Sequence, residues 1–489
     1  MSLVTQVIPF ISYLTLLAVT ISSAYADSVK ISSACNFRQG SSGELIVGST
    51  LLLVDQAMDD GGLVIHPSGK IGQVGRFSNL TRSFPDASFL DCRGETVLSP
   101  GWVNTHEHEA FSYTFPDPNL KPIYHHREEW IFGKNGMKVL PIPNEQIYKP
   151  ENKKSLAVLS WVELRHLVTG TTSLGGPGAV QGLVKNINRS ANPPKNNRYP
   201  LAADLEIFPF SMDSIEFFSD ACLGDKKSVF PLKIDSQTDL AYAPHLGEGR
   251  RDNCTAQSEL ETYIDYVSQH QESGRRFSAV HAVAGRPDQL KRFADFDISL
   301  VWSPRSNLAL YGETIDLAAS QRYNVRMALG TDWSSSGSFN MLEEFECART
   351  VIRSQEIDLS AYQLWLMATH NAAYAVGLEN IVGAIKPGLA ADLILINKSK
   401  DQSPYQAAVN ANIDDVRIVW VDGTPLIASK SIVKVLKPNP VCVDLPMKHK
   451  TLCVDFNILG VSWEDMNKLT TNAVPFNGST KRQAPCDVT

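Results

Sequence analysis

From residue 101 to about residue 382 the chain repeats one texture, a short apolar run followed by a longer stretch with helical spacing. Nothing else in the sequence restricts the fold as much, because strands separated by helices form β-α units on a parallel sheet. The runs are WVNTH (102–106), TGTTSLG (169–175), ADLEIFPF (203–210), LAYAPHL (240–246), FSAVHAV (277–283), ISLVWSP (298–304) and VRMALGTD (325–332). Stretches such as LAVLSWVELRHLVT (156–169) and SELETYIDYVSQH (258–270) stand between them with helical spacing. Roughly 280 residues of this pattern fit a (β/α)8 TIM barrel, an α/β fold whose reactive groups gather at the C-terminal ends of its strands. The competing doubly wound open sheet wants a Gly-rich dinucleotide turn near its first strand, and PGWVNTHEH (100–108) has none.

Both flanks of the repeat read as β-structure. ELIVGSTLLLVD (44–55), GGLVIHPSGKIGQVG (61–75) and SFLDCRGETVLSP (88–100) precede it, and GAIKPGLAADLILI (383–396) and VRIVWVDGTPLI (416–427) follow it, punctuated by Gly, Asp and Pro. The chain is therefore expected to carry a small flanking β-sandwich built from both chain ends. The expected division is a signal peptide at 1–26, sandwich strands at 27–99, the barrel at 100–382, more sandwich at 383–436 and a Cys-containing extension at 437–489.

The leader reading rests on VIPFISYLTLLAVTI (7–21), an apolar run short for a membrane span, followed by Ala24-Tyr25-Ala26, a small-x-small cleavage pattern. A retained membrane anchor is the alternative. Eight cysteines suit an oxidising compartment; they allow about 105 pairings, and proximity suggests Cys442 with Cys453 and Cys222 with Cys254. Sequons at Asn79, Asn188, Asn253, Asn397 and Asn477 fit the same secretory route. The expectation is a secreted, glycosylated, disulfide-bonded protein with no membrane contact after cleavage. A net charge of −7 with no Lys/Arg run argues against nucleic acid as a partner. A small molecule is the expected partner, and a homo-oligomer stays open.

Four strand ends carry residues that bind metals or move protons. His106 and His108 close the first run; one residue apart on a strand, both face the same way. Two imidazoles on one face suit a divalent ion such as zinc, though an isolated His-x-His is also read as a hydrogen-bonded pair. LAYAPHLGEG brings His245 and, three residues later, Glu248; FSAVHAV brings His281; VRMALGTD brings Asp332. Each has a plain structural reading, His245 as a core hydrogen-bonder, Glu248 as a loop carboxylate and Asp332 as a helix cap. Together they favour a site, since an apolar strand ending in a buried Asp is costly unless the Asp is paired or coordinated.

These motifs resemble the amidohydrolase superfamily, in the branch of cytosine deaminase, S-adenosylhomocysteine deaminase and s-triazine hydrolase. PGWVNTHEH is similar to its first-strand motif, HLGE (245–248) to its strand-five His-x-x-Glu, VHAV to the strand-six histidine and LGTDW to the strand-eight aspartate. The resemblance spans roughly residues 44–430 and is specific for the superfamily, not for a substrate. It implies that His106, His108, His245 and Asp332 hold one divalent metal, zinc before iron, with Glu248 shuttling a proton and His281 orienting water or polarising the substrate. Asp332 would also take the proton of the attacking water. A metal lowers the pKa of its water from about 15.7 to about 7, which suits hydrolysis of a non-peptide C–N bond, either deamination of an aminated ring or amide or cyclic-amide hydrolysis. A lactone or ester substrate on the same site is the alternative, and a non-catalytic binding protein on the same fold is a third reading. No strand-end Lys offers to bridge two metals, Lys233 being discounted, so one metal is expected. Substrate contacts are assigned to Trp302, Arg305 and Asn307 after strand seven, with Trp302 alternatively core and Arg305 alternatively a salt-bridger. The loop PIYHHREEWIFGKNG (122–136), with Tyr124, His125, His126, Arg127 and Trp130, is a candidate lid.

Overall fold

Eight parallel strand segments form the centre of the protein: β1 (Trp102–Asn104), β2 (Thr171–Leu174), β3 (Lys185–Asn186), β4 (Ala203–Asp204), β5 in two pieces (Ala241–Tyr242 and His245–Leu246), β6 (Arg276–His281), β7 (Ile298–Trp302) and β8 (Met327–Leu329). The computed structural model describes residues 29–30, 35–141, 152–176, 180–187, 203–204, 241–438, 441–475, 483–484 and 486. Parallel pairing runs from β1 through β2 to β3, and from β4 through β5, β6 and β7 to β8. The last strand returns to the first: Thr105 N donates to Leu329 O at 3.3 Å and Asp332 N to His106 O at 3.0 Å. That contact is close enough to require glycine, because a Cβ on Gly330 would lie 2.6 Å from the His106 Cβ.

The runs at 102–106, 169–175, 240–246, 277–283, 298–304 and 325–332 each overlap one of these strands. In ADLEIFPF only Ala203–Asp204 falls within the described residues. No apolar run marks β3, whose two residues are a cation and an amide. Lys185 is nonetheless buried, because its ammonium meets Asp392 and lies 3.0 Å from Asp422 in the flanking sheet. Such a buried charge needs a paired partner. The break in β5 falls at Pro244, which has no N–H to give, while its carbonyl still accepts from Val280 N at 2.9 Å.

The flanking layer is a twelve-stranded sheet drawing on both halves of the chain. Strand Thr96–Pro100, which leads into β1, pairs antiparallel with Leu393–Asn397, which follows the barrel. Along Leu393–Asn397 the side chains alternate with the strand period of two. Ile394 and Ile396 join the barrel-side core with Val97, Val419 and Ile427. Leu393 and Leu395 join a second core with Val47, Leu51, Leu98, Ile418 and Trp420. The Cys-containing extension at 437–489 adds to this sheet: Thr451–Val454 pairs with Thr424–Ala428, and Val441–Asp444 pairs with Thr451–Val454.

Cys442–Cys453 forms as proximity suggested, and Cys35–Cys92 and Cys347–Cys486 are bonded as well. Cys254 is disulfide-bonded too, while Cys222, its expected partner, lies outside the described residues. The leader and the sequons at Asn188 and Asn477 also lie outside them. Asn79 is exposed on a short helix, Asn253 caps a helix through its side-chain oxygen, and Asn397 ends a strand. Among the described residues no helix is long and apolar enough to cross a membrane.

Candidate metal centre

Where strands end, the backbone must turn aside, and two of the candidate residues do so in the left-handed region. His281 has φ +69° and Asp332 φ +56°. Non-glycine residues in that region cost on the order of 1–3 kcal/mol each and persist where the surrounding structure imposes them. Both side chains are thereby brought to one buried cluster.

His106 Nε2 and His108 Nε2 lie 3.3 and 3.2 Å from the same oxygen, Asp332 Oδ1. The ring of His245, from β5, lies 4.7 Å from that of His106 and 5.4 Å from that of His108. His281, from β6, lies 5.2 Å from His106 and 5.4 Å from His245. The donor atoms of His106, His108 and Asp332 fall within 4.8 Å of one another, as do those of His106, His245 and His281. His106 Nε2 is buried without a hydrogen-bond partner among the described residues. Neutral imidazoles around one carboxylate, with a buried nitrogen left open, fit a borderline divalent ion.

The electrostatics favour ligation as well. Burial brings His106 and His281 down to about 4 and His245 well below its usual range, so all three imidazoles are neutral at physiological pH. Burial pushes Asp332 upward, but the two imidazoles of His106 and His108 set against its Oδ1 outweigh it and hold the carboxylate well below its ordinary range. Ser306 Oγ donates to Asp332 Oδ2, and Trp333 N donates to Oδ1 at 2.7 Å.

Glu248 and His281 stand beside this set, with Glu248 Oε2 3.8 Å from His281 Nε2. Burial raises Glu248 to about 7, the charge of Arg127 offsetting it only in part. Its Oε1 accepts from Tyr311 OH at 2.8 Å, which in turn accepts from Trp130 Nε1 at 2.8 Å. Oε2 is buried with no hydrogen-bond partner among the described residues. One oxygen is thus tethered and the other is available for proton traffic.

The three residues assigned to substrate are placed otherwise. Asn307 Oδ1 lies 3.0 Å from His281 Nδ1, and its Nδ2 donates to Thr314 Oγ1 at 3.4 Å. That amide orientation makes His281 Nδ1 the donor and leaves the lone pair on Nε2, facing the cluster. Trp302 is core and donates to the same Thr314 hydroxyl at 2.7 Å. Arg305 is buried with its guanidinium donating to Ser338 Oγ (2.7 Å), Ala484 O (2.7 Å) and Glu343 O (3.3 Å), so it ties the segment around Ala484 to the helix Pro304–Tyr311 rather than facing the cluster.

The candidate lid docks on the end of β5. Arg127 N donates to Glu248 O at 3.1 Å, and the Arg127 side chain forms a bidentate pair with Glu259 at 2.7 and 2.6 Å. Glu259 Oε2 also accepts from Gly247 N at 2.9 Å. His126 is buried 3.4 Å from Glu259, whereas His125 is exposed. Tyr124, Trp130, Tyr311, Leu310, Val283 and Trp333 form one apolar cluster, with the Trp333 ring 6.4 Å from His108. Tyr311 and Trp333 escaped the sequence reading; the only signal was that Trp333 directly follows Asp332.

Residues 261–426 match the model of the amidohydrolase family. Guanine deaminase of Escherichia coli K12 is 23% identical over 68% of this chain and 81% of its own length. A 5-methylthioadenosine/S-adenosylhomocysteine deaminase of Syntrophus aciditrophicus is 23% identical over 79% of this chain and 93% of its own. Among solved structures, E. coli guanine deaminase superposes with TM-score 0.53 at 18% identity over 79% of this chain and 99% of that one. A triazine hydrolase variant gives 0.54 at 17% over 88% and 100%. A zinc-bound adenosine deaminase of Xanthomonas campestris gives 0.51 at 18% over 78% and 92%. These likenesses bear on the fold of the chain.

Proposed function

We propose that the chain is a member of the amidohydrolase superfamily acting as a zinc-dependent hydrolase of a non-peptide C–N bond, deaminating an aminated ring in a small molecule. The observation that carries this is the convergence of His106, His108, His245 and Asp332 with a tethered glutamic acid and a neutral histidine at the ends of β1, β5, β6 and β8. The two relatives named as a guanine deaminase and a 5-methylthioadenosine/S-adenosylhomocysteine deaminase support the choice of bond.

His106, His108, His245 and Asp332 would hold the metal. When bound, it supplies Lewis acidity toward water. Glu248, raised to about 7, exchanges protons readily in both directions near neutrality, the behaviour wanted of a general acid–base. Its Oε2 is the atom that delivers a proton to the ring or to the leaving nitrogen, while Asp332 takes the proton of the attacking water. His281, kept neutral and oriented by Asn307, presents Nε2 to the incoming group.

Three disulfides among the described residues support a secretory route, and we extend the proposal to cleavage after Ala26. The test combines metal analysis of purified protein with a panel of aminated purines, pyrimidines and triazines. About one equivalent of divalent metal, ammonia release from a panel member and a loss of at least about 100-fold in Glu248→Gln are expected. Metal-free wild-type protein, or near wild-type turnover by Glu248→Gln, would sink the proposal. Mass spectrometry of the mature N-terminus checks the cleavage.

A further inference from the structure

The residue between the two histidines has no place among the ligands, yet it is one of the most heavily bonded side chains near them. Glu107 is fully buried. Its Oε1 accepts from the peptide N–H of His108 at 3.2 Å and from Ser112 Oγ. Its Oε2 accepts from Thr331 Oγ1 at 2.5 Å and faces His166 Nε2 at 3.0 Å. Thr331 immediately precedes Asp332. Ser112 Oγ also accepts from Ser334 N at 3.1 Å, two residues after Asp332. The aspartate is therefore bracketed on both sides by a network that Glu107 centres. Asn104, on β1, adds a further tie, accepting from Thr331 N at 3.1 Å and donating to Thr331 Oγ1 at 2.6 Å.

We propose that Glu107 is a positioning residue, joining the two neighbouring strand ends that carry His106, His108 and Asp332 and so setting the spacing of three metal ligands. This rests on the reading that those residues hold a divalent metal. The ring closes between β1 and β8 with the bond from Asp332 N to His106 O, where Asp332 turns into the left-handed region; past that last bond side chains, not the ladder, hold the strand end. A carboxylate is suited to the work because it accepts on both oxygens and needs no donor of its own. Outer partners of this kind typically change metal affinity by about 10–100-fold when removed.

The full-length protein tests this through metal binding, with no substrate required. Zinc affinity is measured by competition with a chelating indicator, and ligand geometry by the visible absorption bands of the cobalt(II)-substituted protein. Glu107→Gln and Thr331→Val are each expected to weaken zinc binding about 10–100-fold and to alter the cobalt bands. Thr331→Ser keeps the hydroxyl and should restore both. If Glu107→Gln does not fold, the two Thr331 variants decide. Folded Glu107→Gln and Thr331→Val proteins with wild-type affinity and bands overturn the proposal, as does Thr331→Ser behaving like Thr331→Val. Wild-type protein that binds neither ion overturns the metal reading itself and this proposal with it.

Discussion

Replacing Arg127 by Met should destabilise the protein by about 3–5 kcal/mol, the range for leaving one member of a buried ion pair uncompensated. Arg127 and Glu259 are both buried, and two hydrogen bonds of 2.7 and 2.6 Å join them in the bidentate geometry that suits guanidinium and carboxylate. With the guanidinium gone, Glu259 keeps the Gly247 amide at 2.9 Å and the nearby His126. Glu259→Gln removes the charge and can still accept from Gly247, so the double variant should lose less than the sum of the two single changes. A coupling of about 1–3 kcal/mol is expected. The assay is urea unfolding of wild type, both single variants and the double variant, followed by tryptophan fluorescence and far-UV circular dichroism. A loss below about 1 kcal/mol for Arg127→Met, or strict additivity in the cycle, would refute the claim that this pair anchors residues 124–132 to the strand that carries His245 and Glu248.

Tyr311→Phe removes the hydroxyl that donates to Glu248 Oε1. A hydrogen bond to a charged group is worth about 1.5–3 kcal/mol, or about 1–2 pKa units. Glu248, already at about 7 through burial, should rise further. The acidic limb of the kcat/KM profile should then move to higher pH by that amount, and an unmoved limb would show that Tyr311 does not bear on the acid–base group. Glu344 gives a prediction about stability, because burial raises it to about 8 from its ordinary 4.5, with Arg305 only partly offsetting. Between those values the folded protein holds a proton that the unfolded chain lacks. Its contribution is therefore complete below about 4.5 and is lost as pH rises through about 8, at up to about 1.4 kcal/mol per pH unit. Thermal melts of Glu344→Gln across this window should show a flatter dependence than wild type, and an unchanged slope would assign it to other groups.

The clustering of His106, His108, His245 and Asp332 was legible because three local rules act together. Strand period places His106 and His108 on one face, apolar runs announce strands, and barrel strands present their last residues to one end. What escaped the sequence depends on partners far along the chain. Arg305 looked like a substrate contact, and only the fold brings in Ala484, 179 residues later, to accept from its guanidinium. Tyr311 meets Glu248 across 63 residues, and Cys347 finds Cys486 across 139. Cys442 and Cys453, 11 apart, were within reach of a proximity argument. Strand β3 lacked any apolar signature because its lysine is neutralised by aspartates from another layer.

The hydrogen bond from Arg305 to Ala484 also bears on the order in which this molecule can be finished. A ribosome delivers the N-terminal end first, so the helix Pro304–Tyr311 is made long before the carbonyl that satisfies Arg305. Until residue 484 arrives, the neighbour of Ser306, whose hydroxyl supports Asp332, carries a buried guanidinium short of one acceptor. Cys347 likewise waits for Cys486. Maturation of the strand-seven and strand-eight side of the site is thereby tied to the arrival of residues 484 and 486, and a product truncated before residue 484 would have all the candidate ligands without that finished support.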